Sequence, residues 1–214
     1  MTMNRIVFLV DGFNLYHSVV EASRHLGGAT TKWLDISSLC SLYLPYISRD
    51  AKLEQIYYFS AFADHLRAID PGKVQRHEDF IKCLRTTGIV DALARFKARD
   101  AQCPRCRWQW KKHEEKETDV GIAVKLFEVF SLDTCDTVVL VTGDTDLAPS
   151  VRTAKFWFPH KAVVCIFPYR RKNKELAQLA HKSFNIKPAT YCKCQFPDPF
   201  PLPDGTSVCK PLSW

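Results

Sequence analysis

The sequence lacks any apolar run long enough to cross a membrane. None of its hydrophobic segments approaches the roughly 18 residues that a spanning helix needs. The first segment, MTMNRIVFLVDGF, holds one Arg and a short apolar run at residues 6–10 that Asp11 interrupts. Such a run is too short for a secretory signal peptide. We therefore expect a soluble, cytoplasmic protein with no membrane partner.

The cysteines do not form the pattern of a disulfide framework. Nine cysteines, an odd number, are spread along 214 residues, and only Cys103 and Cys106 form a C-x-x-C pair. A chain of this length with 46% hydrophobic residues can fill a core without covalent staples. The pattern is typical of a reducing compartment. The sequence also shows no internal repeat.

The charge balance is basic. The 30 Lys and Arg outnumber the 23 Asp and Glu, which gives a net charge of +7. This excess favours a polyanionic partner, although many basic proteins bind none.

Short apolar runs alternate with helix-like segments. The runs at 6–10, 56–59, 138–141 and 162–167 are unbroken, as is typical of strands buried on both faces. The helix-like segments span 34–44, 71–86, 118–130, 147–156 and 173–180. The alternation predicts an α/β fold with a mainly parallel central sheet and helices on both faces.

The composition changes after residue 187. Half of the 12 prolines lie in residues 188–214, which end in CQFPDPFPLPDGTSVCKPLSW. The segment has no helical period, so we expect a domain over 1–187 and an extended, Pro-rich tail over 188–214. The apolar Phe and Trp side chains predict that this tail wraps on the domain.

Two predicted strands end in acidic residues. The first run leads into Asp11, with Asn14 close behind, and the run at 138–141 leads into Asp144 and Asp146. In doubly wound sheets, ligands bind beyond the carboxyl ends of strands. If these strands are neighbours, about 4.8 Å apart, their carboxylates converge on one cleft.

Asp119 is a third acidic candidate, in TDVGIAVKLFEVF. Thr118 is placed to cap the helix that begins at Asp119, and Val120, Ala123, Val124 and Phe127 are its expected apolar face. Clustered carboxylates repel one another unless a cation lies among them, and oxygen ligands suit Mg²⁺ or Mn²⁺. Taken singly, each acid is more often a loop or helix-end residue than a ligand, and it is their combination that favours a site.

Three segments carry a family resemblance. VFLVDGFNLYHS, EEKETDVGIAVKLFE and VVLVTGDTDLAPSV, in this order, resemble the signature segments of the NYN domain, a branch of the PIN-like ribonuclease superfamily that includes LabA-like bacterial proteins. The resemblance covers about residues 5–184. It implies a three-layer α/β/α sandwich with a central parallel sheet.

The resemblance also implies a catalytic site. It maps onto Asp11, Asp119, Asp144 and Asp146, with Asn14 as a polar neighbour. These acids would hold Mg²⁺ or Mn²⁺ and hydrolyse single-stranded or structured RNA, leaving a 5′ phosphate. We expect the first three as direct ligands and Asp146 as a ligand or water-orienting base. Thr142 either orients phosphate or satisfies the backbone.

A basic insertion spans residues 93–117. Its cations interleave with aromatic side chains, a pattern that favours a nucleic-acid groove. The residues are Arg95, Lys97, Arg99, Arg105, Arg107, Trp108, Trp110, Lys111 and Lys112. The alternative is a hairpin with a solvated basic face and Trp side chains packed on the body. Lys116 either reaches the substrate phosphate or pairs with Glu115 or Glu117.

Two further features allow two interpretations each. Cys103 and Cys106 form half of a structural Zn²⁺ site that His113, Cys192 or Cys194 would complete, or they are free thiols. Arg170, Arg171 and Lys172, after the run at 162–167, either hold RNA beside the cut or form an exposed loop.

The leading functional hypothesis is an RNA endonuclease, and the alternative is a non-catalytic RNA-binding or regulatory adaptor. Under either hypothesis, a homo-oligomer is a possible assembly. Tyr16 and His17 are expected to be packing or helix-start residues. A phosphatase of the haloacid dehalogenase type needs a second Asp where this chain has Phe13, which disfavours that class, and an acyl phosphate on Asp11 would restore it.

Overall fold

The computed structural model describes residues 3–214 and is built on a seven-stranded sheet. The strands follow the order β4-β3-β2-β1-β5-β6-β7, and all neighbours are parallel except β3 and β4. They are β1 (Asn4–Asp11), β2 (Ala51–Ala61), β3 (Val90–Gln102), β4 (Gln109–Lys116), β5 (Thr137–Val141), β6 (Ala162–Phe167) and β7 (Lys182–Asn185).

Seven helices cover the two faces of the sheet. They are α1 (Gly12–His25), α2 (Ile36–Ile47), α3 (Pro71–Thr86), α4 (Thr118–Ser131), α5 (Ala148–Trp157), α6 (Lys174–Leu179) and α7 (Pro188–Lys193). Helices α1, α2, α3 and α7 pack on one face, and α4, α5 and α6 pack on the other. This arrangement confirms the predicted α/β/α sandwich. In residues 3–214, no helix has both the length and the apolar character needed to span a membrane.

The central strands supply both hydrophobic cores. In β1, Ile6, Phe8 and Val10 face one core, while Val7 and Leu9 face the other. Each buried aliphatic side chain contributes roughly 1.5–3 kcal/mol, so this strand anchors both layers. The unbroken apolar runs in the sequence follow from this double burial.

The order of the strands places a crevice at the carboxyl ends of β1 and β5. The chain runs from β1 outward through β2 and β3, and it later returns to β5 on the other side of β1. This reversal is the switch point at which open α/β sheets bind ligands. The first part of β3 pairs with β2, whereas residues 95–102 pair only with β4. The β3–β4 hairpin therefore projects past the same edge of the sheet.

Helix α4 differs from its prediction in two ways. Thr118 is the first helical residue rather than the cap, and Glu117 precedes it in a left-handed conformation with φ of 81°. The buried face consists of Ile122, Leu126, Val129 and Phe130. Val120 and Val124, expected in that face, are 66% and 59% exposed. The helix start at the sheet edge fixes its rotation, which the spacing of apolar residues left ambiguous.

The sequence patterns missed α1, β7 and α7. Helix α1 follows Asp11 directly, and it buries Leu15, Val19 and Ala22 at helical spacing. Helix α7 corrects the expectation that the tail is extended from residue 188, because Tyr191 is fully buried and its hydroxyl lies 2.7 Å from the Ser18 hydroxyl. This anchor holds a helix too short to show a period.

The rest of the tail packs on the domain, as its aromatic residues predicted. A short antiparallel hairpin pairs β8 (Phe200–Pro201) with β9 (Ser207–Val208), each of two residues. Phe196 is buried against Trp33, with ring centroids 5.6 Å apart. Trp214 lies 6.0 Å from the same ring. The tail thus closes the core on the α1 face of the sheet.

Candidate metal centre

Asp11 lies at the end of β1 and also caps α1. Its side chain accepts hydrogen bonds from the Asn14 backbone N–H at 2.9 Å and the Thr142 hydroxyl at 2.8 Å. The residue is only 4% exposed. Burial raises the pKa of the Asp11 carboxyl, and the charge of Asp144 adds to the rise, while the two hydrogen bonds oppose it. A buried acid is therefore held in a fixed orientation.

The segment after β5 is fixed by hydrogen bonds to its own side chains and to α1. The Thr142 hydroxyl accepts from the Asp144 N–H at 3.0 Å, and Gly143 N–H donates to the Asn14 amide oxygen at 3.0 Å. Asp144 in turn accepts from the Asp146 N–H at 3.0 Å. The Thr142 hydroxyl thus hydrogen-bonds both the Asp144 backbone and the Asp11 carboxylate. The Asn14 amide oxygen holds the backbone of the turn at Gly143.

Asp119, in the first turn of α4, completes a group with Asp11 and Asp144. One carboxylate oxygen from each residue lies within 4.8 Å of the other two. Burial raises the pKa of Asp119 to about 6, with further contributions from the charges of Asp144, Asp11 and Asp146. Asp146 is exposed and lies outside this group of three, although its charge acts on Asp119. We name Asp11, Asp119 and Asp144 the acidic triad.

Glu115 is a fourth acid at the triad, which the sequence patterns missed. Burial raises the pKa of Glu115 to about 7, and the negative charges of Asp119 and Asp11 contribute further to this rise. Its Oε1 is buried without a hydrogen-bond partner in the described chain. Glu115 alternates with Glu114 and Lys116 along β4, so it points to the opposite face. That alternation, read together with a predicted hairpin, is the signal that could have found it.

These residues fit a hard divalent cation. The donors are all carboxylate oxygens, which Mg²⁺ and Mn²⁺ prefer over softer ligands. Three carboxyl groups have raised pKa values, first because they are buried and then because like charges are held close together. Glu115 lies outside this group of three, and its buried Oε1 is an acceptor without a partner in the described chain. The triad can therefore bind a divalent cation.

The crowded carboxylates predict a pH-dependent stability change. Asp119→Asn should stabilise the metal-free protein at pH 7.5, because Asp119 has a pKa near 3.8 when unfolded and about 6 when folded. Between these values the folded state binds more protons, so stability falls as pH rises. The full difference between these two pKa values would correspond to about 3 kcal/mol of unfolding free energy. Solvent screening at this partly exposed site reduces the expected gain to about 1 kcal/mol.

Urea unfolding in EDTA checks this prediction. The gain from Asp119→Asn should be smaller at pH 5 than at pH 7.5 and should vanish below about pH 4. Asp50→Asn, at an exposed position outside the triad, is the control. An equal gain at all pH values would show that charge repulsion is not its cause.

The hairpin carries its cations mainly on one face. Arg99 lies directly opposite Lys112, and Lys97 lies opposite Glu114. Lys112 also pairs with Glu114 at 3.0 Å, so an acid on the same face offsets part of the repulsion between the two cations. Trp108 and Trp110 stack with centroids 5.4 Å apart, and they are 67% and 38% exposed. These rings stack on each other and remain open to solvent.

Other predicted contact residues have partners in the protein. Lys116 pairs with Glu114 at 3.0 Å rather than with Glu115 or Glu117, because Glu114 shares its face of β4. Arg95 pairs instead with Glu117 at 2.7 Å.

The loop after β6 lies at the same sheet edge as the triad. Arg170 and Arg171 face Glu21 of α1 at 3.1 and 3.7 Å, while Lys172 is exposed. The Arg171 carbonyl also packs closely against Gly143. The two arginines therefore fasten this loop to α1, whereas Lys172 remains open to a ligand.

The five expected zinc ligands are not brought together. Across residues 3–214, the acidic triad is the cluster of three or more potential metal ligands, and it contains none of the five. Cys103 and Cys106 lie in the tight turn of the hairpin, while Cys194 is buried in the core and Cys192 is exposed. His113 instead stacks on His65 with centroids 4.0 Å apart. Within the described residues the C-x-x-C pair at the hairpin tip is not clustered with His113, Cys192 or Cys194, and zinc binding stays a prediction.

Known proteins resemble this chain over most of its length. Residues 5–187 match the family model described as NYN domain. The chain is 26% identical over 240 residues to 6-hydroxy-3-succinoylpyridine 3-monooxygenase HspA of Pseudomonas putida. This alignment covers 96% of this chain and 73% of that protein. A crystal structure of VPA0982 from Vibrio parahaemolyticus, a protein of unknown function, has a TM-score of 0.57 at 20% identity. The match covers 86% of this chain and 94% of the VPA0982 chain, and it supports the α/β fold described above.

Proposed function

Because the chain belongs to the NYN domain family, we propose that it is a divalent-metal-dependent ribonuclease that cuts RNA internally. The observation that carries this proposal is the acidic triad at the switch point of the sheet. The family supports RNA as the substrate, and the all-oxygen donor set supports Mg²⁺ or Mn²⁺.

Each residue of the site has a proposed task. Asp11, Asp119 and Asp144 would hold the cation, which when bound promotes attack by water and neutralises charge on the leaving oxygen. Thr142 and the Asn14 backbone N–H hold Asp11 in one orientation. Glu115, whose Oε1 has no hydrogen-bond partner in the described chain, would accept a proton from water. Asp146 lies outside the triad and would orient water.

A cleavage assay tests this function. Purified protein with labelled RNA should give internal cuts and 5′-phosphate ends in Mg²⁺ or Mn²⁺, and no cuts in EDTA. DNA of the same sequence serves as the comparison substrate. RNA binding without cleavage under every metal condition would favour the alternative of a non-catalytic RNA-binding adaptor.

The exposed Trp side chains on the hairpin should contribute to RNA affinity. Trp108→Ala is expected to weaken single-stranded RNA binding about tenfold, since stacking a base on an aromatic ring contributes roughly 1–3 kcal/mol. Fluorescence anisotropy in EDTA, with Asp144→Asn in the background, measures binding without cleavage. Trp157→Ala, at a ring that is 68% exposed on α5, is the matched control. Equal effects of the two changes would contradict a groove on the hairpin.

A second candidate function is the oxidation of a small heteroaromatic acid. The observation that favours it is the extent of the match to the Pseudomonas putida monooxygenase, 96% of this chain. A monooxygenase consumes O₂ and a reductant in step with its product. Oxygen uptake with 6-hydroxy-3-succinoylpyridine and NADH or NADPH would favour this candidate. RNA cleavage without such uptake would favour the ribonuclease.

A further inference from the structure

A cavity of about 530 Å³ lies beside the acidic triad. It is enclosed by α1, α3, the carboxyl end of β2 and the last residues of the tail. Gly12 and Phe13 line it, so its wall begins one residue after Asp11. Its volume lies within the range of about 300–1,000 Å³ that is usual for small-molecule sites.

The walls of the cavity are rich in aromatic rings. They come from five separate segments of the chain and include Phe13, Tyr16, Tyr58, Phe80, Phe96 and Trp214. Phe13 and Phe96 meet edge to face, with centroids 5.8 Å apart. Such walls favour a flat ring, because every heteroaromatic base has a face on which an aromatic side chain can stack.

The cavity is also cationic. Lys32, Lys73 and Arg76 line it, and the described lining residues include no Asp or Glu. Elsewhere on α3, Lys82 and Arg85 pair with neighbouring aspartates, whereas Lys73 and Arg76 make no ion pair within residues 3–214. Unpaired cations around an apolar space attract an anion.

His65 adds an unused polar atom at the wall. Its Nδ1 is buried without a hydrogen-bond partner in the described chain, and its ring stacks on His113 and lies tilted against Phe96. Burial lowers the pKa of His65, and the charges of His113 and Lys73 lower it further. His65 therefore lines the cavity with its imidazole held mainly in the neutral form.

Gly12 lets the cavity and the triad share a wall. A Cβ there would lie 2.6 Å from the Tyr58 ring and from the Phe59 carbonyl oxygen. The absence of a side chain lets the Tyr58 ring pack directly against the start of α1, beside Asp11. The cavity therefore begins on the other side of Gly12 from Asp11, and no residue of the triad lines it.

We propose that this cavity binds a heteroaromatic ring that carries an anionic group. In an RNA, it receives the base and phosphate of a nucleotide next to the one that is cut, and this second statement rests on the proposed ribonuclease function. The same chemistry is offered by a free heteroaromatic acid, and the test below separates the two sources.

Isothermal titration in EDTA, with Asp144→Asn protein, tests the proposal without cleavage. Adenosine 5′-monophosphate should bind at least tenfold more tightly than adenosine or ribose 5-phosphate, because it alone supplies ring and anion. Arg76→Glu and, independently, Tyr16→Ala should each weaken that binding at least tenfold. Lys82→Glu, the same charge change on α3 outside the cavity, should leave it unchanged. Orotate, a pyrimidine carboxylate, represents the free acids.

The outcomes separate this proposal from the proposed function. Binding of the nucleotide but not of orotate identifies RNA as the source, and orotate binding alone identifies a free acid and overturns the RNA statement. Weak binding of both probes, or equal binding by wild type, Arg76→Glu and Tyr16→Ala, overturns the cavity proposal even if RNA is cleaved. Tight nucleotide binding without RNA cleavage keeps the cavity and overturns the ribonuclease.

Discussion

Asp144→Asn should reduce RNA cleavage roughly a thousandfold or more, which corresponds to about 4 kcal/mol of lost transition-state stabilisation. Asp144 is one of three carboxylates that meet within 4.8 Å, and an amide in its place cannot supply the charge that holds a divalent cation. The loss should appear under single-turnover conditions at saturating RNA. Raising the Mn²⁺ concentration should recover part of it if the affinity for the cation is what falls.

Two control variants make the result specific. Asp146→Asn, outside the triad, should cost about 10- to 100-fold, the scale of lost outer-shell contacts, and less than Asp144→Asn. Asp50→Asn, at an exposed position away from the site, should leave the rate unchanged. Unfolding measured in EDTA should show that Asp144→Asn protein is folded. Cleavage that survives Asp144→Asn would remove the triad from the mechanism.

Gly143→Ala should damage both stability and activity. An added Cβ would lie deep inside the contact distance of the Arg171 carbonyl oxygen, which is backbone and cannot rotate away. Either the loop after β6 or the turn that holds Asp144 must move. Overpacking of this kind costs about 2–3 kcal/mol. For a chain of this size the melting temperature should fall by roughly 5–10 °C, and cleavage should fall further than stability explains.

Gly121→Ala is the matched control for this change. Its added Cβ would meet the Phe59 ring at 3.5 Å, an ordinary contact, and the position lies inside α4. Ala is favoured over Gly by up to about 1 kcal/mol in a helix, so this variant should be as stable as the wild type or more so. A Gly143→Ala protein with unchanged melting and cleavage would show that the contact with Arg171 does not fix Asp144.

The parts of the site that follow strands could be predicted from the sequence. Asp11 and Asp144 each follow an unbroken apolar run, and parallel strands carry such residues to the same edge of a sheet. Asp119 was found because it begins a recognisable helix. These inferences need only local patterns and one rule of topology.

The remaining parts depend on register and packing, which the sequence does not state. Glu115 reaches the triad only because the pairing of β3 with β4 turns it to the opposite face from Lys116. The rotation of α4, with Val120 exposed, follows from where the helix starts. The cavity requires Trp214 to meet Phe80 across a long sequence separation. Packing also places His113, Cys192 and Cys194 apart from Cys103, although the sequence suggested that they could complete a zinc site with it.

The most direct test of the central claim is the position of Mn²⁺ in crystals of this protein. Anomalous scattering from crystals grown with MnCl₂ should show a peak between the carboxylates of Asp11, Asp119 and Asp144, with oxygens at about 2.0–2.2 Å, and Asp144→Asn crystals should lose it. A wild-type crystal with the triad open to solvent, Mn²⁺ bound at other sites and no peak between these carboxylates would contradict the account.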